Sequence, residues 1–369
     1  MRIMIVTDAW EPQVNGVVRT LSRTVSELRA MGEEVEVITP YDGFKTMPLP
    51  TYPEIKLALG SRQVLQKRFE EFEPEAMHIA TEGTLGLTAR AICAKHRFPF
   101  STSYHTRFPE YVSARFPVPV SWGYAYVRWF HELSGRVMVA TQSMREELTA
   151  RGFRHLAHWS RGVDTELYNP ARRTTDRGLF AGLKGPVFLY VGRVAVEKNV
   201  ETFLSLDLPG SKAVIGDGPQ RAELEAKFPE ARFLGARFGE ELAKAYADAD
   251  VFVFPSLTDT FGLVILEAMA AGTPVAAFMA PGPRDLIPGT GAGAACDDLR
   301  QACLDCLTLD RATVRAHAEK FSWRACTQEF LTNLMPLPPM ERRRFWRRWR
   351  RRKPDEVVVV DPSSSAKEI

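Results

Sequence analysis

One arrangement occurs twice in this chain: an apolar strand, a loop that contains glycine, a helix and a second strand. The first copy has an apolar run at residues 1–6, a helical pattern over 17–30 and a strand at 35–38. The second copy begins with the apolar run 187–191 and reaches its next strand at 212–215. Strand–helix–strand units build parallel sheets with helices on both faces. Each half of the chain therefore predicts a doubly wound α/β domain.

The length of 369 residues suits two such domains, and 45% hydrophobic with 25% charged residues is typical of globular proteins. We expect an N-terminal Rossmann-like domain at 1–165, a polar linker at 166–185 and a second domain at 186–320. A helix at 321–335 is expected to pack back on the first domain. The basic, aromatic tail at 336–369 is expected to be partly disordered.

Cysteine content and hydropathy bear on the compartment. The chain has five cysteines, an odd number that argues against a disulfide framework and favours a reducing compartment. It shows no secretion signal and no apolar run of about 18 residues, so we expect a cytoplasmic protein whose membrane contact is peripheral. We expect neither a metal ion nor a cofactor. Cys303 and Cys306 form a lone CxxC without a second pair or flanking histidines, and Asp248 with Asp250 lies between a predicted helix and a buried strand.

The loop after the strand at 187–191 carries two cations. Arg193 offers a planar guanidinium fork, and Lys198 offers a point charge just before a predicted helix. The glycine at 192 permits close approach of the backbone to a ligand. Together these groups suit a diphosphate at the start of a helix. A solvated surface pair is the alternative interpretation.

The loop after the strand at 251–254 carries the matching carboxylates. Asp259 lies in the loop, and Glu267 lies in the helix that starts near Gly262. Two carboxylates at this spacing can bind hydroxyls on separate parts of one ligand, while the backbone amides of Gly262 and Leu263 face its phosphates. Alternatively, Asp259 only caps the helix.

With these motifs the sequence resembles the retaining glycosyltransferases of family 4 over about residues 1–335. That family has the GT-B fold, in which two Rossmann-like domains face a cleft. Its G-R-x(4)-K pattern is matched by Arg193 and Lys198, and its pair of glutamates separated by seven residues is matched by Asp259 and Glu267. The shorter aspartate departs from the family pattern and leaves the identity of the donor sugar open.

The resemblance implies a role for each of these residues. Asp259 would bind hydroxyls of the donor sugar, Glu267 the nucleotide ribose, and Arg193 with Lys198 the diphosphate that leaves. In the first domain, Gly16 would approach the donor phosphate. His105 would lie near the transferred sugar. The predicted catalytic residues are therefore His105, Arg193, Lys198 and Asp259. The nucleotide sugar is thus expected as a substrate, with no metal required.

Two segments bear on the acceptor. Residues 107–132 mix aromatic and basic side chains at helical spacing, which suits a bilayer interface or, alternatively, an ordinary core helix. Residues 341–353 hold nine cations among three aromatic rings, which favours an anionic membrane surface. The residues expected to bind the membrane there are Arg343, Arg344, Trp346, Arg347, Trp349 and Arg350. Nonspecific binding of RNA or DNA is the alternative for this segment, although no specific nucleic-acid fold is indicated.

We therefore expect a retaining glycosyltransferase that moves a sugar from a nucleotide sugar, with UDP as the favoured carrier, to a membrane lipid such as diacylglycerol. Its expected location is the inner face of the cytoplasmic membrane. The alternatives are a GDP-mannose-dependent mannosyltransferase, a transferase with a saccharide acceptor in lipopolysaccharide or capsule synthesis, and a noncatalytic nucleotide-sugar-binding protein.

Overall fold

The computed structural model of the protein describes residues 1–49, 52–113 and 117–351. Its first domain alternates strands and helices. The strands are β1 Arg2–Val6, β2 Glu34–Ile38, β3 Lys45–Leu49, β4 Tyr52–Leu59, β5 Ala76–Ile79, β6 Phe100–Ser103, β7 Arg136–Val139 and β8 Leu156–His158. The helices are α1 Gly16–Ala30, α2 Arg62–Phe72, α3 Thr84–His96, α4 Phe108–Ser113, α5 Val120–His131 and α6 Gln142–Ala150.

The second domain repeats this alternation, and two helices follow it. The strands are β9 Val187–Val191, β10 Ser211–Ile215, β11 Arg232–Phe233, β12 Val251–Phe254, β13 Val275–Ala277 and β14 Gly293–Ala295. The helices are α7 Val200–Ser205, α8 Arg221–Lys227, α9 Gly239–Asp248, α10 Leu263–Ala270, α11 Pro281–Leu286, α12 Leu299–Cys306, α13 Arg311–Ala318, α14 Trp323–Asn333 and α15 Pro339–Arg351.

Each domain contains a six-stranded sheet whose strands all pair in parallel. The strand order is β2-β1-β5-β6-β7-β8 in the first sheet and β11-β10-β9-β12-β13-β14 in the second, while β3 and β4 form a separate antiparallel pair. The order reverses beside β1 in the first sheet and beside β9 in the second. In doubly wound sheets, ligands bind at the carboxyl ends of the strands at such reversals. The predicted pair of doubly wound α/β domains is confirmed.

Buried apolar side chains hold helices on both faces of the first sheet. Alternate residues of a strand point to opposite faces, so Met4 and Val6 pack with α2 and α3, whereas Ile3 and Ile5 pack with α1 and α14. Helix α1 begins where the side chain of Asn15 accepts hydrogen bonds from two backbone amides, both at 3.0 Å. This cap sets the direction in which α1 leaves the cleft.

The end of the chain crosses back to the first domain. Helix α14 packs on α1, and Asn333 donates a hydrogen bond to the carbonyl of His158 over 2.6 Å. Helix α15 then packs on the other face of the sheet, against α2 and α3.

Helix α15 corrects one prediction. Trp346 and Trp349 were expected to bind a membrane beyond the end of the fold, but each ring is only 6% exposed and packs in the core of the first domain. They are therefore not available to a bilayer in this arrangement. The arginines that were expected to bind the membrane beside them, Arg343, Arg344, Arg347 and Arg350, are exposed on the same helix. Residues 352–369 of the predicted tail lie outside the described residues.

Candidate active site

The two predicted donor loops lie side by side where the order of the second sheet reverses. Strand β9 leads into the loop with Arg193 and Lys198, and its neighbour β12 leads into the loop with Asp259. The two loops follow the carboxyl ends of paired parallel strands, and this topology explains why residues about 60 positions apart in sequence meet. Lys198 and Asp259 do so directly, as the hydrogen bond between them is 2.6 Å long.

The Lys198–Asp259 pair is mostly shielded from solvent. Burial by itself would lower the pKa of Lys198, but the charge and hydrogen bond of Asp259, together with Tyr111 and Tyr190, outweigh burial and raise that pKa, so the ammonium stays protonated. Only one oxygen of Asp259 is used, since Oδ2 is buried and has no hydrogen-bond partner among the described residues. A buried carboxylate oxygen without a donor is suited to accept a hydroxyl group of a ligand.

Arg193 lies in the same loop and is half-buried. Its backbone carbonyl accepts a hydrogen bond of 2.8 Å from the hydroxyl of Tyr190, which anchors the loop to the strand beneath it. Its predicted contact with a diphosphate stays a prediction.

Helix α10 presents its first turn to the other domain. Gly262 caps the helix with a φ of +86°, in the left-handed region that glycine adopts without strain. A side-chain carbon of the next residue, Leu263, lies 3.8 Å from the place where a Cβ on Gly16 would stand. Gly16 begins helix α1 of the first domain, so two helix starts face one another across the cleft. The positive ends of both helix dipoles thus favour an anion between them.

Glu267 is buried on α10, with 3% of its surface exposed, and both of its oxygens are engaged. Oε2 accepts a hydrogen bond of 3.1 Å from the hydroxyl of Tyr246, and Oε1 forms an ion pair with Arg19 of the first domain. Arg19 also donates to the hydroxyl of Tyr168 over 3.2 Å. Chiefly through Glu267, the pKa of Arg19 is raised, so its guanidinium stays protonated.

His105 follows β6 and also touches the second domain. Its backbone carbonyl accepts a hydrogen bond of 2.7 Å from the hydroxyl of Thr260. Its Nδ1 lies 3.3 Å from a guanidinium nitrogen of Arg161, while its Nε2 is buried without a partner among the described residues. Burial, followed by the charge of Arg161, lowers the pKa of His105 well below its ordinary value. The ring is therefore neutral and suited to hydrogen bonding rather than to carrying charge.

The structure thus brings Lys198 and Asp259 into contact, and it places Gly16 and His105 on the opposite wall of the cleft. It also contributes Arg19, Tyr168 and Tyr246, which the sequence analysis did not identify as site residues. Arg19 could have been predicted from the sequence, because it lies one helical turn after Gly16 and residues at this spacing share one face of a helix.

Within the segment 107–132, residues 108–113 form α4 and residues 120–131 form α5, while residues 114–116 lie outside the described ones. Its interior side chains pack as a core helix would, as the buried Tyr124, Val127 and Phe130 show. The opposite face is apolar as well: Trp122 is 70% and Trp129 47% exposed, and the partly exposed Tyr126 lies between them. Positions four and three residues apart share one face of a helix, so α5 presents a continuous aromatic row to solvent.

Two further properties concern metals and membranes. In the described ranges, no three or more histidine, cysteine, aspartate or glutamate side chains are grouped so that they could hold a metal ion. Among those same residues, no helix has the length and apolar character needed to cross a bilayer.

Comparison with known proteins defines the class. The family model described as "Glycosyltransferase Family 4" matches residues 14–167, and the one described as "Glycosyl transferases group 1" matches residues 185–308. The two matched ranges cover most of the chain and correspond to its two domains. The protein is a glycosyltransferase, and its chain belongs to family 4 of these enzymes.

Individual relatives agree with this assignment. A GDP-mannose-dependent alpha-mannosyltransferase of Mycobacterium tuberculosis is 34% identical over 78% of this chain and 81% of its own length. The sulfoquinovosyl transferase SQD2 of Arabidopsis thaliana is 32% identical over 85% of this chain and 69% of its own length. An alpha-monoglucosyldiacylglycerol synthase of Streptococcus pneumoniae is 26% identical over 78% and 73%.

Among solved structures, sucrose-phosphate synthase from Thermosynechococcus elongatus superimposes with a TM-score of 0.73 at 19% identity, covering 90% of this chain and 97% of the other. At this identity the match speaks for the fold alone, and it confirms the GT-B architecture.

Proposed function

We propose that the protein is a retaining, metal-independent glycosyltransferase that moves a sugar from a nucleoside diphosphate to a membrane lipid. The structural observation that supports the lipid acceptor is the exposed aromatic row on α5, where Trp122, Tyr126 and Trp129 face solvent on the first domain. Aromatic rings beside cations are favoured at the bilayer interface, and Arg128 is exposed on the same helix. The protein then acts at the cytoplasmic leaflet as a peripheral enzyme.

The donor chemistry rests on charge at the leaving group. As the bond from sugar to phosphate breaks, negative charge grows on the diphosphate, and groups already oriented toward it lower the barrier. Lys198 and Arg193 supply cations there, and the first amides of α10 supply backbone donors. Asp259 offers its unpartnered Oδ2 to a sugar hydroxyl. Because these groups come from the protein, the reaction does not need a metal ion.

The roles across the cleft follow the same logic. Neutral His105 donates or accepts a hydrogen bond at the transferred sugar through its unpartnered Nε2. Glu267 accepts the hydroxyls of the nucleotide ribose, and Gly16 lets the backbone of α1 approach the phosphates without a side chain between them.

The donor carries either UDP or GDP. A UDP-linked sugar is our expectation, whereas the mycobacterial relative is named for its dependence on GDP-mannose. The streptococcal relative is named for the synthesis of monoglucosyldiacylglycerol, a glycosylated lipid, and this name supports a lipid acceptor. Diacylglycerol is accordingly the first acceptor to test. Saccharides of lipopolysaccharide or capsule are the alternative.

The test incubates the full chain with UDP- and GDP-linked sugars and with vesicles containing diacylglycerol, and it identifies the lipid product by mass spectrometry. The double variant Trp122→Ser/Trp129→Ser should lose vesicle binding and lipid glycosylation while its donor hydrolysis is unchanged. Phe238→Ser is the control, because Phe238 is 61% exposed but lies on the second domain. Equal transfer to soluble saccharides, with no loss in the double variant, would refute the lipid acceptor.

A further inference from the structure

Helix α15 is held on the first domain by one of its faces. The rings of Phe345, Trp346 and Trp349 are buried against Phe69, with ring centroids 5.1 Å from it for both tryptophans. The indole nitrogen of Trp349 also donates a hydrogen bond of 2.8 Å to Glu70. Because this face is fixed, the exposed arginines extend from the remaining faces of the helix.

An open cavity of about 470 Å³ lies between α15 and the start of β1. This volume is within the range of about 300–1,000 Å³ that is typical of small-molecule sites. Its lining includes five arginines, namely Arg2, Arg342, Arg343, Arg347 and Arg350. Among the described lining residues, Glu73 supplies the one carboxylate. The cavity therefore has a large excess of positive charge.

The available carboxylates are already used by some of these arginines. Glu73 lies 3.9 Å from Arg2 and pairs with Arg350, and the neighbouring Glu75 pairs with Arg342. For Arg343 and Arg347, no carboxylate in the described part of the chain lies within ion-pair distance. These two residues are four positions apart, so their side chains are neighbours on one face of the helix.

Trp346 provides a second, independent indication. It lines the same cavity, and its indole Nε1 is buried without a hydrogen-bond partner among the described residues. Buried donors almost always have an acceptor in folded proteins. The wall of the cavity thus holds uncompensated guanidinium groups, and one of its residues has a buried donor that lacks an acceptor.

We infer that this cavity is a binding site for a phosphate group. The guanidinium fork matches phosphate oxygens with two parallel hydrogen bonds, and an anion removes the mutual repulsion of clustered arginines. The site is separate from the candidate active site, because Arg2 begins β1 at the amino edge of the sheet whereas the cleft lies at the carboxyl edge. The phosphate belongs either to a lipid headgroup or to a soluble phosphate compound, and binding of either kind does not depend on the proposed glycosyl transfer.

Two matched double variants test the site in the full chain. Arg343→Gln/Arg347→Gln removes the two unpaired arginines of the cavity. Arg344→Gln/Arg348→Gln removes the same charge at the same spacing from exposed positions of the same helix that do not line the cavity. The probes are inorganic tripolyphosphate, measured by calorimetry, and phosphatidylcholine vesicles that carry phosphatidic acid, measured by co-sedimentation.

We expect the cavity variant to weaken binding by at least about tenfold, as the loss of charge-assisted hydrogen bonds predicts, and the control variant by less than about threefold. Binding of vesicles but not tripolyphosphate would assign the site to a lipid headgroup, and the reverse would assign it to a soluble phosphate. Equal losses in both variants would mean general electrostatic attraction and would overturn the inference, as would binding of neither probe by the unmodified protein. Donor hydrolysis by all variants should be unchanged, so failure here is distinguishable from failure of the proposed activity.

Discussion

Replacing Lys198 by methionine is the most direct test of the donor site. The substitution keeps the length of the side chain and removes its charge, so Asp259 loses the partner that lies 2.6 Å away. The two side chains are 22% and 18% exposed. Breaking a fully buried ion pair costs about 3–5 kcal/mol and breaking an exposed one about 0–1 kcal/mol. For this intermediate burial we expect the free energy of unfolding to fall by about 2 kcal/mol.

The effect on nucleotide binding should be of a size similar to the effect on folding. A hydrogen bond to a charged group contributes about 1.5–3 kcal/mol, which corresponds to roughly a 10- to 150-fold change in dissociation constant. Lys198→Met should therefore weaken the binding of UDP or GDP by at least about tenfold, because the diphosphate loses a cation and meets an uncompensated Asp259. Isothermal titration calorimetry with each free nucleotide measures this change.

Asp259→Asn is the matched comparison. Asparagine keeps an oxygen for Lys198 but puts an amide nitrogen where the carboxylate has its unpartnered Oδ2. We expect binding of the free nucleotide to change by less than about threefold. The kcat/KM for the sugar donor should fall about a hundredfold, because a donor replaces the acceptor of the sugar hydroxyl. If Lys198→Met binds free nucleotide as well as the unmodified protein, or if both variants lose it equally, the assignment of diphosphate and sugar contacts is wrong.

Three further predictions concern stability and are checked by urea unfolding. Burial lowers the pKa of His78 to about 3, so the unfolded chain binds a proton that the native chain does not. Between a pH of 6.5 and a pH of about 3, His78 should therefore lower the free energy of unfolding by about 1.4 kcal/mol for each unit that the pH falls. The His78→Gln variant should not show this decrease. A left-handed backbone costs an alanine about 1–2 kcal/mol. Gly262→Ala should lower the free energy of unfolding by more than this, because its Cβ would also lie 3.0 Å from two side-chain carbons. Gly239→Ala should cost only the backbone strain, since no atom lies within 4 Å. Arg19→Ala should cost about 1–2 kcal/mol because its partner is buried, and the more exposed Arg23→Ala less than about 0.5 kcal/mol.

The residues that the sequence analysis located well are those whose position depends on sheet topology. Lys198 and Asp259 each follow an apolar strand, and parallel strands of one sheet present all their carboxyl ends at the same edge. Strand and loop patterns are local, so they can be recognised without knowing the rest of the fold. The convergence of the two loops then follows from the order of the strands.

Tertiary contacts set the positions that the sequence analysis missed. The partner of Arg19 lies in the other domain, and no local pattern reports how two domains approach one another. In α15, the arginines and aromatic rings suggested a partly disordered, membrane-binding tail, although Phe345, Trp346 and Trp349 occupy one face at helical spacing. The spacing of these three rings indicates an apolar face, but the spacing does not show that this face packs on α2 and α3.

The pairing of Glu267 bears on how the cleft accepts its donor. Arg19 and Tyr246 already occupy one oxygen each, yet a carboxylate offers about four acceptor positions, so a ribose hydroxyl can be added without displacing either partner. The hydroxyl would then join a carboxylate whose orientation is set from both domains. Arg19 lies one turn after Gly16 in α1. Any movement of α1 that brings its first amides toward the diphosphate would therefore also change the ion pair between Arg19 and Glu267. In the proposed donor complex, binding of the ribose and the approach of the α1 amides to the phosphates would therefore be coupled through this helix.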